Sequence, residues 1–278
     1  VANKLLKGAL GSNNFDANSR LCMSSAVAGY ARSLGSDGPP CCYDDLDSAD
    51  LVFLIGTNTA ECHPVLFQRL IKRKRKVKDA LRIVVVDPRA TATSDPADLH
   101  LAIRPGTDLV LLHGLGHLLL ELQALDEGFI ADHTEGFAEL RELWQQWTPQ
   151  RVCDLCGIDE ADLRQLAQWW AEAAGVLSLW SMGVNQSREG TATVAGIINL
   201  HLATAQIGRS GAGPFSLTGQ PNAMGGREAG GLAQLLPGYR FVANPEHRAE
   251  VEHHWGFEPG SIAPQPGLAV WEQIEAME

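Results

Sequence analysis

No run of about 18 consecutive apolar residues occurs in this sequence, so it offers no membrane-spanning helix. Its longest apolar stretches, such as Leu109 to Leu112, have the length of strands or core helices. Neither G-x-G-x-x-G nor G-x-x-x-x-G-K-[ST] is present, which leaves a plain NAD or ATP site unsupported. Basic residues are outnumbered by acidic ones, 22 against 33, and the net charge of −11 argues against nucleic acid and against an anionic membrane as partners. Cysteine is sparse too: the six, at 22, 41, 42, 62, 153 and 156, are too few and too irregularly placed for a disulfide framework. With no secretory leader visible, a reducing, cytoplasmic setting is the expectation. An initiating Met is missing as well, so the 278 residues read as a fragment of something longer.

What is present is the composition of a folded protein, 45% hydrophobic and 20% charged, with length enough for one large or two ordinary domains. Leu51 to Ile55 is a continuous apolar run of the kind buried on both faces of a parallel sheet, and Arg82 to Val86, Val176 to Trp180 and the shorter Leu99 to Ile103 read as further strands of that kind. Helical stretches alternate with them, at about 64–78, 108–122, 137–147, 159–173 and 191–207, with a shorter one at 1–7 ending at Gly8 and Gly11. The expected fold class is therefore α/β, with a doubly wound, mainly parallel sheet. From Gly211 on the chain is rich in Gly and Pro and reads as a long irregular stretch, of the kind that usually carries function.

Each expected strand ends in a loop that combines Gly with a polar residue or sets Asp beside Pro and Arg: Gly56-Thr57-Asn58, Asp87-Pro88-Arg89, Gly106-Thr107-Asp108 and Gly183-Val184-Asn185-Gln186. In an open parallel sheet ligands bind beyond the carboxyl ends of the strands, where glycine lets the backbone approach phosphate and carboxylates can read ribose or base. A large nucleotide-like ligand is expected. Cys22 is followed by Met23, two Ser and a small-residue run that reads as the first turns of a packed helix. A thiol near a helix N-terminus favours the thiolate, a competent metal ligand or nucleophile, although the same residues also suit a buried structural Cys.

Taken together, the motifs Asn18-Ser-Arg-Leu-Cys22-Met23-Ser-Ser-Ala-Val-Ala-Gly29, Gly56-Thr-Asn-Thr-Ala-Glu-Cys-His-Pro64, Trp180-Ser-Met-Gly-Val-Asn-Gln186 and Phe215-Ser-Leu-Thr-Gly-Gln-Pro-Asn-Ala-Met-Gly-Gly-Arg-Glu228 resemble the molybdenum-bis(molybdopterin guanine dinucleotide) oxidoreductases of the DMSO reductase family. Within that family the resemblance is to the assimilatory nitrate-reducing branch, and it spans the chain except for the Trp-rich middle, about 125–175. It implies reduction of nitrate to nitrite by oxygen-atom transfer to molybdenum. Electrons would come from ferredoxin, flavodoxin or a nicotinamide-linked partner by way of a 4Fe-4S cluster.

The resemblance also implies roles. Cys22 would be the thiolate on molybdenum, with Met23 beside the open coordination position and Asn18 touching a pterin. Gly56, Thr57, Asn58, Glu61, Asp87, Arg89, Gly106, Thr107 and Asp108 would bind one dinucleotide, while Met182, Gly183 and Gln186 would line the pterin site. Gln220 and Arg227 would face the metal pocket from a second α/β domain. Residues 18–217 would form the dinucleotide-binding domain, and 1–17 with 218–278 would be pieces of the second. The cluster domain and a C-terminal barrel would lie outside this chain. Formate dehydrogenases of the same family are the runner-up reading, but they place a proton-handling His after the metal ligand, where this chain has Met23, which cannot take a proton. A third reading is a fragment that holds no cofactor and does not turn over on its own.

Other features call for no function. Cys153 and Cys156, a C-x-x-C without a second pair at zinc spacing, are expected as surface or half-buried free thiols. Cys42, Cys62, His63 and the remaining histidines are expected in structural roles, and the Trp144, Trp147, Trp169 and Trp170 spacings fit core packing. The basic run Lys72 to Lys76 is expected as a solvated helix end, where cations suit the dipole.

Overall fold

The computed structural model describes residues 1–220 and 222–278; Pro221, within the Gly219 to Glu228 motif, lies outside the described residues. The chain folds as two compact units, one of residues 24–219 and the other of residues 1–23 together with 220–278.

The discontinuous unit begins with a π-helical turn, Lys4–Ala9, and a one-turn helix α1, Ser19–Cys22. Gly8 does not end the first helix as expected but lies inside it, because a side chain there would overlap the Phe257 ring, whereas Gly11 reverses the chain at φ +63°. The tail adds α12 (Ala223–Glu228), a two-residue ladder of β6 (Leu235–Leu236) with β7 (Arg240–Phe241), α13 (Pro245–Trp255) and α14 (Val270–Glu275). Leu236, Val242, Val251 and Ile262 form its small core.

The continuous unit is the parallel α/β domain. In chain order it runs α2 (Ser24–Leu34), β1 (Leu51–Ile55), α3 (Thr59–Cys62), α4 (Pro64–Val77), β2 (Arg82–Val86), β3 (Leu99–Leu101) and α5 (Asp108–Glu121). There follow α6 (Glu127–His133), α7 (Phe137–Gln145), α8 (Pro149–Cys156), α9 (Glu160–Glu172), β4 (Val176–Trp180), α10 (Met182–Asn185), α11 (Gly190–Ala203) and β5 (Gly213–Ser216). The five strands are all parallel, in the order β3-β2-β1-β4-β5, with Leu51 opposite Arg82 on one side and Val176 on the other. Chain order therefore reverses beside β1, and the carboxyl ends of β1 and β4 flank the switch point where open α/β sheets bind ligands.

Residues of β1 and β4 are buried throughout, which is why β1 reads as an unbroken apolar run and β4 as one interrupted only by Ser178, whose hydroxyl meets His201 Nε2 at 2.7 Å. One face packs Val52, Leu54, Ile83, Val85, Leu177 and Leu179 with Leu70 of α4. On the other, Phe53 meets Trp170 of α9 edge to face, and Tyr30 of α2 lies against Trp180.

Two expectations are corrected and one is met. β5 was not expected: its Gly-Pro-Phe-Ser sequence looks irregular, but Pro214 lacks only a donor that an edge strand can spare, and β5 is the sheet's edge. α11 stops at Ala203, four residues short of expectation, where Ala205 at φ +50° and Gly208 at φ +71° turn the chain. Cys22 lies near a helix N-terminus, as expected, two residues before Ser24 opens α2. It ends α1, and Met23, at φ −120° and ψ 0°, separates it from α2.

Candidate functional site

The loops leaving the sheet carry most of the expected ligand-binding residues. Gly56 leaves β1 with φ +57°, a conformation glycine adopts without strain, and its N–H still donates to Val86 O at 3.0 Å. Its carbonyl accepts from Gly183 N–H at 3.0 Å and from Ser181 Oγ at 3.4 Å. A Cβ on Gly183 would lie 2.6 Å from that oxygen, so both residues must be glycine for the ends of β1 and β4 to meet. Thr57 is buried and exchanges a 3.1 Å hydroxyl contact with Thr59. Asn58 is gripped at both ends of its amide, donating to Glu61 Oε2 at 2.9 Å and accepting from Thr93 Oγ1 at 2.8 Å. Glu61 itself is exposed.

After β2, Asp87 is nearly buried and caps its own turn, accepting from Arg89 N–H at 2.9 Å, while Arg89 is exposed. Gly106, at φ +84°, turns the chain into α5, with Thr107 at its N-cap and Asp108 as its first residue. Burial raises the Asp108 carboxyl above the ordinary Asp range; the hydrogen bond from its own amide opposes this, and the charge of nearby Asp87 adds to it. The carboxylates of Asp87 and Asp108, in adjacent loops, are suited to accept hydrogen bonds from N–H or O–H donors of a base or sugar. Met182 and Gln186 bracket α10, where Met182 is half-buried with its methyl close to Gly219, and Gln186 is exposed.

The remaining candidates all lie in the discontinuous unit. Cys22 and Met23 are buried, at 5% and 3% exposure, and Asn18 is exposed, its carbonyl accepting from Cys22 N–H at 3.1 Å. Arg227 is buried in the last turn of α12, whose start is capped by Asn222 accepting from Gly225 N–H. Gln220 keeps a buried Oε1 that finds no hydrogen-bond donor among the described residues.

Sequence reasoning passed over several residues in these regions. Thr93, wholly buried, joins Asn58 to the N-terminus of α3 by accepting from Ala60 N–H at 3.0 Å. His63 Nε2 contacts Thr218 O at 2.9 Å, while its buried Nδ1 and Ser216 Oγ at the end of β5 find no hydrogen-bond partner among the described residues. Asn185 accepts from Trp180 Nε1 at 3.1 Å and from Ser25 Oγ at 2.7 Å. Cys153 and Cys156 are free but buried, against expectation, because the three-residue spacing turns both toward the core side of α8. Burial raises both thiols, Cys153 to about 11, so neither is a ready thiolate. The Cys156 thiol donates to Thr107 O at 3.7 Å, and Arg104 caps the same helix end, its N–H reaching Cys156 O at 2.7 Å. The loop before Asp108 is thereby tied to α8.

No group of three or more metal-ligating His, Cys, Asp or Glu occurs among the described residues, so an all-protein metal centre is not built here. The discontinuous unit offers the buried Cys22 thiol and a Gln220 Oε1 without a donor among the described residues; the parallel domain separately offers a glycine-lined strand edge beside Asp87 and Asp108. The thiol fits a soft metal held mainly by an organic group, and the strand edge fits a nucleotide arm.

Comparison with known proteins agrees. The family model for molybdopterin oxidoreductase matches residues 1–261. The whole chain is 57% identical to a nitrate reductase of Synechocystis sp., of which it covers 39%, and 44% identical to the periplasmic nitrate reductase of Desulfovibrio desulfuricans, of which it covers 38%. It thus spans about two-fifths of the length of these curated relatives. Acetylene hydratase from Pelobacter acetylenicus shares the fold, with a TM-score of 0.66 and 23% identity over 74% of this chain and 27% of that one. From its parallel sheet to the match over residues 1–261, this chain belongs to the molybdopterin oxidoreductase family.

Proposed function

We propose that this chain is the central part of an enzyme that reduces nitrate to nitrite, with molybdenum held as the bis(molybdopterin guanine dinucleotide) form. The observation that carries the reading is the buried pair Cys22 and Met23, a soft thiol followed directly by a side chain that cannot carry a proton. Such a wall suits an oxygen-atom acceptor better than a formate oxidation that needs a base. The 57%-identical relative, named a nitrate reductase, supports it.

When bound, the molybdenum group supplies two-electron oxygen-atom transfer, by which nitrate loses one oxygen and leaves as nitrite. The protein's share is holding and orienting. Cys22 would be the metal's protein ligand, with Met23 excluding water beside it and Asn18 contacting a pterin. Arg227 would bind nitrate: an anion approaching a protein of net charge −11 needs a local cation, and a guanidinium can grip two of its oxygens while the third stays free to react. Gln220, with its unsatisfied amide oxygen, would sit in the same pocket. Gly56, Thr57, Asn58, Glu61, Asp87, Arg89, Gly106, Thr107 and Asp108 would hold a dinucleotide arm, and Met182, Gly183 and Gln186 a pterin.

An assimilatory, cytoplasmic setting completes the reading, with electrons from ferredoxin, flavodoxin or a nicotinamide-linked reductase through a 4Fe-4S cluster outside these residues. No described helix is long and apolar enough to cross a membrane.

The test is Cys22→Ser in the full-length protein. Serine is a harder and far less acidic ligand, so nitrate reduction should vanish while circular dichroism and melting stay as in the wild type. Near-normal nitrate reduction by the variant would remove Cys22 from the metal, and turnover of formate in place of nitrate by the wild type would select the runner-up.

A further inference from the structure

A charged side chain at the start of the chain is completely buried. Lys7 is 0% exposed, and its Nζ donates to Gly230 O at 3.2 Å, to Leu232 O at 2.7 Å and to Leu235 O, so all three ammonium protons are directed at backbone of one turn. A buried ammonium is tolerated only where such donors are used, and its removal would take a donor from each of the three carbonyls, of which Leu232 O also accepts from Leu235 N–H at 2.9 Å. Burial lowers the Lys7 pKa to about 8, with Asp16 opposing, so the group is still largely cationic at neutral pH.

The turn that Lys7 holds is connected at both ends. On one side, Gly230 N–H donates to Arg227 O at 2.8 Å and Gly231 N–H to Gly226 O at 2.9 Å, closing the end of α12. Gly230 sits at φ +77°, where a side chain would also strike Leu236, so the turn has little freedom to relax. On the other side, Gln234 accepts from Arg20 of α1, and Arg20 is itself held by Asp16 at 2.7 Å. Arg20 is two residues before Cys22. The turn therefore joins the helix that carries Cys22 to the helix that carries Arg227.

We propose that Lys7 is a positioning residue, whose buried ammonium fixes the Gly230–Leu235 turn and through it the placement of Arg227 relative to Cys22. The proposal rests on the reading of Cys22 and Arg227 as metal ligand and nitrate binder. Lys7 touches neither substrate nor metal. Its effect reaches the reaction through the turn, so its loss should weaken nitrate capture more than it slows the bound enzyme.

Lys7→Met in the full-length, cofactor-loaded protein keeps the length of the side chain and removes the charge. The Michaelis constant for nitrate should rise about tenfold, with a smaller change in kcat, as expected for a displaced charge-assisted contact. Amide exchange at Gly230, Gly231 and Leu235 should speed up about tenfold or more, while β1 and β4 keep wild-type protection. Equal acceleration throughout the protein, or unchanged exchange at the turn, overturns the proposal. If Lys7→Met does not fold, Gln234→Leu decides, since it cuts the link to Arg20 with Lys7 in place. A raised Michaelis constant with local loss of protection supports the proposal, and wild-type values for both overturn it. The exchange measurement needs no nitrate, so a wild-type protein that fails to reduce nitrate defeats the functional reading separately from the clasp.

Discussion

Gly183→Ala tests whether the meeting of β1 and β4 makes the ligand edge. The added Cβ would fall 2.6 Å from Gly56 O, 2.7 Å from its Cα and 2.9 Å from its carbonyl carbon, all backbone atoms with no flexible end to swing aside. Ordinary contact distance lies roughly 1 Å further out, so one strand end must move by about that much. Overpacking of this kind costs about 1–3 kcal/mol, and the 3.0 Å bond from Gly183 N–H to Gly56 O contributes about 1 kcal/mol more when stretched. The sum, about 2–4 kcal/mol, should lower the melting temperature of the parallel domain by roughly 5–15 °C. Calorimetry of the full-length protein and molybdenum content per chain are the assays, with Gly128→Ala as control, since a Cβ there meets nothing nearer than 3.5 Å. We expect Gly183→Ala to melt lower and to lose molybdenum, and Gly128→Ala to do neither. A Gly183→Ala protein that melts within about 2 °C of wild type and keeps its full molybdenum would refute the claim that the two glycines define the edge.

The strands show where sequence reading succeeds and why. β1, β2 and β4 are legible to the residue because burial on both faces demands mostly apolar segments, which Gly56, Asp87 and the Ser181 to Gly183 turn then close. β5 is hidden because an edge strand tolerates the Gly and Pro that would disqualify a central one. The short-range loop chemistry of the site is equally readable: Gly56, Gly106 and Gly183 stand where φ or close approach requires them. What is not readable is set by distance along the chain. Thr93 supports Asn58 across 35 residues, and Lys7 supports Leu232 across 225, and neither has a local pattern to reveal it. The place of Cys22 near the start of α2 is legible from the small-residue run that follows it, whereas the one-turn helix α1 and the backbone break at Met23 carry no local signal.

Two further measurements bear on the proposed chemistry and on the domain that supports it. Arg227→Lys in the complete enzyme should raise the Michaelis constant for nitrate, because an ammonium cannot reproduce the two-oxygen grip, and the loss should shrink for a neutral N-oxide; equal losses for both would make Arg227 a structural tie in its loop. The second concerns His201, which is fully buried on α11 with Nδ1 facing Gln206 O at 2.8 Å and Nε2 facing Ser178 Oγ of β4 at 2.7 Å. Burial lowers its pKa from 6.5 to about 4, against the Gln206 carbonyl, which favours the charged form. The folded protein therefore resists a proton that the unfolded chain accepts, so the contribution of His201 is intact above pH 6.5 and is lost progressively as pH falls toward 4. A shift of this size corresponds to about 3 kcal/mol across that window. Other groups titrate there as well, so the informative quantity is the difference between wild type and His201→Gln in denaturant midpoint from pH 7 to pH 4. The amide has no proton to take up, and the variant, weaker at pH 7, should lose less stability on acidification than the wild type. Parallel curves would show that His201 does not couple the sheet to pH, and that Ser178 and Gln206 hold the imidazole no more tightly when it is neutral than when it is charged.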